Sequence, residues 1–353
     1  MAAGDGLLLR VRPPLGRVTA AQARLVARLA TDLGNGAIDL TNRAALQLRG
    51  LSEAGWRTAL EAMATAGLVD ADPAREARSV LLAPNWQAGD DTHRIALALA
   101  SRLDELPPLP AKFGIAVDAG ASCVLNDASA DLRVERAETG VLMLRADGRP
   151  TGAALAPGAE VDALVALARW FTETGGAAGT RVARHDAPLP PWAEGACLPL
   201  RATGAITSDP RTVALPFGRV DAVALATLAA RPGLVALRLT PWRALLLEGI
   251  DAGASDSPDL RHVDACVGAP ACPQASVTTR PLATALAPLV SGTLHVSGCA
   301  KGCARRTPAD LVLTGRDGAF DLALNARADA VPLLRGLSPE QVLAYVKGHA
   351  CAA

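Results

Sequence analysis

The sequence predicts a mixed α+β fold made by duplication, in which two related halves each begin with a strand–helix–strand–strand unit and continue into a longer α/β segment. Three observations predict it. Gly16-Arg17-Val18 recurs as Gly218-Arg219-Val220, each ahead of a helical stretch rich in alanine and leucine. Ile38-Asp39-Leu40-Thr41 recurs as Leu237-Arg238-Leu239-Thr240, and Gly50-Leu51 as Gly249-Ile250, in the same relative register. Self-similarity of this kind marks a repeated structural unit. Along each half the apolar period switches between that of a strand and that of a helix. Duplication predicts a pseudo-twofold molecule with its ligand between the halves, reached by a polar strand from each.

Leu7 to Val11 alternates weakly and stops at Pro13-Pro14, as a strand does. Thr19 is placed to cap a helix from Ala20 to about Leu33, whose Ala23, Val26, Ala27 and Ala30 recur at helical spacing. Gly34-Asn35-Gly36 is a turn, and Ala37 to Leu40 begins another strand. From Arg43 to Arg49 the chain reads as extended, with Arg43, Gln47 and Arg49 sharing one polar face. A helix from Glu53 to Ala66 follows. Arg75, Arg78 and Pro84 lie on the link into the first α/β segment. Leu109-Pro110-Ala111-Lys112-Phe113 is a loop entering a strand, with Lys112 at its mouth. Pro188-Leu189-Pro190-Pro191 separates the halves. The expected divisions are 1–70, 71–190, 191–253 and 254–353. In the second copy Trp242 aligns loosely with Arg43 and is assigned to a core, while Arg243 approaches the same cleft from the other half. No G-x-G-x-x-G follows a strand, and Gly175-Gly176-Ala177-Ala178-Gly179 reads as a loop, which argues against a Rossmann nucleotide site.

Only the last segment carries paired cysteines. Cys266 and Cys272 are spaced C-x5-C, and Cys299 and Cys303 C-x3-C. An iron–sulfur cube needs four converging thiolates with backbone N–H groups aimed at the sulfides. Gly298 and Gly302 let the chain curl closely around such a group, and Pro273 stiffens the first loop. Zinc is the rival reading, although its structural pairs favour C-x2–4-C. Two disulfides are the other. His262 and His295 flank the pairs and read first as hydrogen-bonding residues rather than iron ligands. Cys123, Cys197 and Cys351 stand alone and read as ordinary thiols.

With 353 residues, half of them apolar and 20% charged, the chain has enough material for two or three ordinary domains. Met1-Ala2-Ala3-Gly4-Asp5 lacks the basic start of a signal peptide, and Pro281 to Val296 is interrupted by Pro288, Gly292 and His295. A cytoplasmic protein without a membrane span is expected, in a reducing compartment where paired cysteines favour metals over disulfides. A net charge of zero argues against nucleic acid as partner. Arginine fills nearly every basic position, lysine occurring only at Lys112, Lys301 and Lys347. Clustered guanidinium groups suit a ligand bearing several carboxylates.

The unit Thr-x-Arg-x3-Gln-x-Arg-Gly at 41–50, the Leu-Pro-x-Lys-Phe loop and the terminal C-x5-C…C-x3-C together resemble the nitrite/sulfite reductase superfamily. The resemblance covers almost the whole chain and implies a pseudo-twofold fold, each half a ferredoxin-like unit followed by an α/β domain. It implies that Cys266, Cys272, Cys299 and Cys303 hold a [4Fe–4S] cluster. It further implies that Arg43, Arg78 and Lys112 line a tetrapyrrole and bound anion, with Gln47 and Arg49 on the same strand. Reductases place a second lysine two residues after the first, and here that position is Gly114. A six-electron reduction consumes many protons, so glycine there disfavours sirohaem-dependent reduction. His295 to Cys303 and Leu239 to Ala244 are similar to the precorrin-3B synthase branch. That likeness implies precorrin-3A and dioxygen as substrates, Lys112 as a catalytic residue, and Arg43, Arg49 and Arg78 as carboxylate clamps. It also implies a mononuclear non-haem iron beside the cluster, and a separate electron donor, a reductase or ferredoxin drawing on NADH. A compact sulfite or nitrite reductase and a cluster-bearing electron carrier are the competing expectations.

Overall fold

A computed structural model describes residues 2–178, 181–200, 209–253 and 260–350; Cys351 and Gly179 lie outside the described residues. The chain opens with β1 (Ala2–Ala3), β2 (Gly6–Val11) and β3 (Arg17–Thr19) and enters helix α1 (Ala20–Leu33). Thr19 caps this helix: its hydroxyl accepts from Gln22 N while the Gln22 side chain accepts from Thr19 N. Such reciprocal capping satisfies two N–H groups that the first turn leaves without partners. β4 (Ala37–Leu40), β5 (Leu46–Leu51) and α2 (Glu53–Thr65), the last capped by Ser52, complete the first unit.

One expectation fails here. Arg43 does not lie on the polar strand, because the chain closes a turn at 41–45. Ala44 N donates to Thr41 O, the Thr41 hydroxyl accepts from Arg43 N and Ala45 N, and Ala44 sits at φ 49°. A short hydroxyl side chain that captures neighbouring N–H groups competes with the strand ladder for them. Gln47 and Arg49 do share β5.

The four-residue α3 (Pro73–Glu76) leads to β6 (Ser79–Leu82), α4 (Asp91–Ser101), β7 (Gly114–Asp118), β8 (Leu132–Arg136), β9 (Leu142–Ala146), β10 (Ala153–Ala154) and α5 (Glu160–Glu173). The second half repeats the plan. It has β11 (Thr212–Ala214), β12 (Arg219–Asp221), α6 (Ala222–Ala229), β13 (Ala236–Leu239) and β14 (Ala244–Glu248). Then come β15 (Val263–Ala265), α7 (Arg280–Leu286), β16 (Leu294–Ser297), β17 (Ala309–Arg316), β18 (Ala319–Ala326), β19 (Leu334–Leu337) and α8 (Pro339–Ala350). The two α/β sheets, β6-β7-β8-β9-β10 and β15-β16-β17-β18-β19, have one topology: three parallel strands followed by two antiparallel ones.

The two ferredoxin-like sheets exchange a strand. β12 from the second half pairs with β4, setting Arg219 opposite Asp39, and β3 from the first half pairs with β13, setting Arg17 opposite Arg238. The repeated Gly-Arg-Val segments are therefore the exchanged edges. Each is launched by a tight turn, with Leu15 and Gly16 at φ 57° and 62°, and Phe217 and Gly218 at φ 54° and 71°. Ion pairs follow the exchange with their signs reversed. Asp39 on β4 takes Arg219 and Arg49, whereas Glu248 on β14 takes Arg17 and Arg238.

Both units share one core, in which Val18, Ile38, Leu46 and Leu48 meet Leu225, Leu237, Leu245 and Leu247. Trp242 packs against it, in line with the sequence reading. Each α/β sheet has a core of its own. The exchange also corrects the expectation that both polar strands meet one ligand. Arg49 on β5 donates to Ala271 O in the cysteine-bearing loop (3.3 Å), while Arg238 on β13 donates to Trp86 O beyond β6 (3.4 Å). Arg243 pairs with Asp264 and donates to Ala304 O (3.0 Å), beside the cysteine-bearing loops. Among the described residues no helix is long and apolar enough to cross a membrane.

Candidate functional site: a cysteine-lined loop pair beside an arginine cluster

β15 and β16 are parallel neighbours, so the loops leaving their C-terminal ends emerge side by side. The first carries Cys266 and Cys272, the second Cys299 and Cys303. Gly298 N lies 3.1 Å from Cys266 Sγ, an amide aimed at a sulfur. Thr279 Oγ1 donates to Cys266 O (2.6 Å), and Cys272 N donates to Gly268 O (2.8 Å). Glycine is required at two places: a Cβ on Gly268 would stand 2.8 Å from Thr279 Oγ1, and one on Gly298 2.5 Å from the Ala275 Cβ. Burial pushes the Cys303 thiol above its ordinary value; Lys301 opposes this, and Cys266, Cys299 and Cys272 add to it. The other three sulfurs thus lie within electrostatic reach of Cys303, and none of the four is in a disulfide.

Among the described residues no three His, Cys, Asp or Glu side chains close on a single ion. The ligands of a cubane sit at separate corners, farther apart than those around one ion. Four free thiols, an amide on sulfur and loops too tight for a Cβ thus fit a [4Fe–4S] group better than zinc. The flanking histidines form no ligand set. The His262 Nε2 lies 3.2 Å from Ala287 O. His295 is wholly buried with no partner on either ring nitrogen, and burial lowers its pKa to about 4 against the opposing charge of Asp264.

The polar face of β5 borders this loop pair. Arg49 is 5% exposed and grips Asp5 with two bonds of 2.9 Å, so its guanidinium is already engaged and braces the cysteine loop. Gln47, with its amide oxygen toward Arg10, accepts from Arg10 Nε (2.8 Å) and Nη2 (2.6 Å). Arg43 donates to Lys112 O (2.8 Å), bringing two expected residues together, with the Lys112 side chain exposed at the mouth. Burial lowers the Arg43 pKa, and the charges of Arg181, Arg12 and Arg10 lower it further against Asp131. Arg10 is lowered by burial and by Arg12. Arg12 donates from Nη1 to Glu76 O (3.0 Å), and its buried Nε has no partner. Arg78 donates to Leu106 O (3.3 Å), and nothing among the described residues ties it to this group.

Sequence reading missed Arg10, Arg12 and Arg181. The first two had a signal, since Leu9-Arg10-Val11-Arg12 alternates and sets both arginines on one face beside Gln47. Arg181 had none: it arrives from a short turn far along the chain, held by Asp131 Oδ1 (2.7 Å).

Residues 1–66 match the nitrite/sulfite reductase ferredoxin-like half domain. The structure is similar to that of the Mycobacterium tuberculosis NirA protein, with a TM-score of 0.64, 20% identity, and coverage of 96% of this chain and 79% of that one. That likeness shows the duplicated reductase-type fold. Along 383 aligned positions, covering 94% of this chain and 82% of the relative, it is 30% identical to precorrin-3B synthase of Sinorhizobium sp. On that breadth of identity, the chain belongs to the precorrin-3B synthase family.

Proposed function

We propose that this chain is an oxidoreductase of cobalamin biosynthesis that hydroxylates precorrin-3A at a ring carbon, an acetate arm closing a γ-lactone to give precorrin-3B. One oxygen atom of dioxygen enters the ring and the other leaves as water, with two electrons from a separate reductase or ferredoxin drawing on NADH and two protons. The observation that carries the reading is the gathering of Arg10, Arg12, Arg43 and Arg181 beside the cysteine loops, where burial first, and then the charges of Arg181, Arg12 and Arg10, hold Arg43 below its ordinary pKa. Like charges held this close are relieved by an anion, and a tetrapyrrole bearing eight carboxylates supplies several. The name of the Sinorhizobium relative supports that substrate.

In this reading Cys266, Cys272, Cys299 and Cys303 would hold the [4Fe–4S] group, which supplies one-electron transfer when bound. A mononuclear iron belongs to the same proposal. Arg43 clamps carboxylates, joined by Arg10 and Arg12, and Arg78, which stands apart from that cluster, clamps another. Gln47 fixes the Arg10 guanidinium, and Arg49 holds the polar strand against the cysteine loop. Lys112, at the mouth beside Arg43, delivers protons. Removing one charge-assisted contact costs about 1.5–3 kcal/mol. Arg43→Ala is therefore expected to weaken tetrapyrrole binding roughly ten- to a hundredfold with iron content unchanged, measured by absorbance titration of the anaerobically purified protein. Unaltered affinity would remove this face from the substrate site.

Gly114 offers a second test. A Cβ there would meet its nearest atom, Ser129 O, at 3.4 Å, an ordinary contact, and because position 114 is buried the melting temperature of Gly114→Lys is checked first. The variant is expected to gain no sulfite or nitrite reduction with reduced viologen. Turnover of either anion by the wild-type chain would count against oxygen-dependent hydroxylation.

A further inference from the structure

The duplicated fold places a second concave site where the other polar sheet face meets the first α/β segment. The loop leaving β6 stands there where the cysteine loop leaves β15 in the other half. It runs Ala83-Pro84-Asn85-Trp86 and offers no thiol. Between this loop and β3, β13 and β14 lies a cavity of about 440 Å³. That volume falls within the roughly 300–1,000 Å³ typical of small-ligand sites.

Three guanidinium groups line it: Arg17, Arg211 and Arg238. Arg17 makes two bonds of 2.8 Å to Glu248, and Arg238 Nε donates to the same carboxylate at 2.9 Å. Arg211 holds Asp209 with bonds of 3.0 and 2.6 Å. Asp251 also acts on Arg211, so three carboxylates balance the three cations, and what the cavity offers an anion is the exposed edges of the guanidinium groups. Arg238 is fixed from behind, its guanidinium carbon 3.5 Å over the Trp86 ring, which stacks on His93 at 4.8 Å. Arg17 and Arg211 are 27% and 37% exposed at their side chains, open enough to meet a solute. The floor is apolar, formed by Leu15 and by Leu246, which shares the sheet face of Arg238. Ordered cations around an apolar floor are the recognition pattern for an anion with a hydrophobic body.

We propose that this cavity is a second binding site, for a small organic acid that sets one or two carboxylates on Arg17 and Arg211 and a flat or aliphatic body on the leucine floor. A macrocycle of four pyrrole rings with eight acid arms does not fit it. The site is thus separate from the substrate cradle, and the proposal stands without the assignment of precorrin-3A.

Isothermal titration of the full-length, cluster-loaded protein with benzene-1,3-dicarboxylate tests this. One molecule is expected to bind per chain, with benzene-1,3-dicarboxamide and inorganic phosphate each bound about tenfold more weakly, the first lacking charge and the second lacking a body. Arg211→Gln is expected to lose about tenfold in affinity. Ala88→Trp is expected to abolish binding, because Ala88 lines the cavity from an exposed loop position where the indole fills space without touching the charge network. Unchanged iron content and melting temperature check that each variant is folded, and Ala88→Trp decides alone if Arg211→Gln is not. No binding to the wild type at millimolar dicarboxylate overturns the proposal. So does equal affinity for the diamide or phosphate, or undiminished binding by folded Ala88→Trp.

Discussion

Cys299→Ser is expected to cost the protein nearly all of its cluster, with iron and acid-labile sulfide falling roughly tenfold in anaerobic preparations. A serine oxygen is harder than thiolate sulfur and is not ionised near neutral pH, so it replaces neither the charge nor the bonding of the fourth ligand. The loop itself should persist, because Ser297 Oγ donates to Cys299 O (2.7 Å) and the residues beneath it, Leu294, Val296 and Leu313, belong to a sheet core that owes nothing to the sulfurs. Circular dichroism should therefore stay close to wild type, while the melting temperature drops because metal binding is linked to folding. Cys123→Ser is the control. Cys123 is buried, 3.1 Å from Asp118 Oδ2 and 2.8 Å from Asn126 Oδ1, and burial with the Asp118 charge holds it protonated. It should retain full iron. Full iron in Cys299→Ser instead would break the ligand assignment.

Duplication could be read from the chain because its turns need particular residues. Gly16 and Gly218 occupy positive φ where other residues are strained, so the Gly-Arg-Val pattern survives in both copies. Which sheet each segment joins could not be read. A three-residue strand carries too little pattern to specify a partner, and the exchange of β3 and β12 is decided by tertiary packing. The same blindness produced the expectation of one ligand between two polar strands. Alternation sets Arg43 on a strand, but the Thr41 hydroxyl, a turn-forming signal present in the sequence, captures the Arg43 and Ala45 N–H groups and closes a turn there. Arg49 was expected to face a ligand because its type and register suit one. Its actual partner, Asp5, lies at a chain end where no periodicity points to it. The cysteine spacing needed no tertiary information, since both pairs sit on single short loops.

Asp39→Asn is expected to be the most destabilising change away from the cysteines. Asp39 is 8% exposed and faces Arg219 at 2.8 and 3.0 Å, Arg280 at 3.3 Å and Arg49 at 3.6 Å. Burial alone would raise its pKa, but Arg219, Arg280 and Arg49 outweigh burial and hold it below the ordinary carboxylate value. Asparagine keeps the shape and removes the charge, leaving three close guanidinium groups without it, Arg280 with a buried Nε that has no partner. Breaking a buried pair from one side costs about 3–5 kcal/mol. In a chain of this size that lowers the melting temperature by roughly 4–7 °C. The pH dependence follows from the sign of the shift. A depressed carboxylate contributes its full stability above the unfolded value, about 3.9, and loses it as pH falls through the folded one. The stability gap between wild type and Asp39→Asn should thus be level from about pH 5 to 8 and shrink on acidification below about 4; a gap that widened there would refute the ion-pair account. Arg219 reaches Asp39 from the second half and Arg280 from the cysteine-bearing segment, so this one carboxylate joins three parts of the chain. Hydrogen exchange should accordingly accelerate first at β12, whose pairing to β4 places Arg219 directly opposite Asp39.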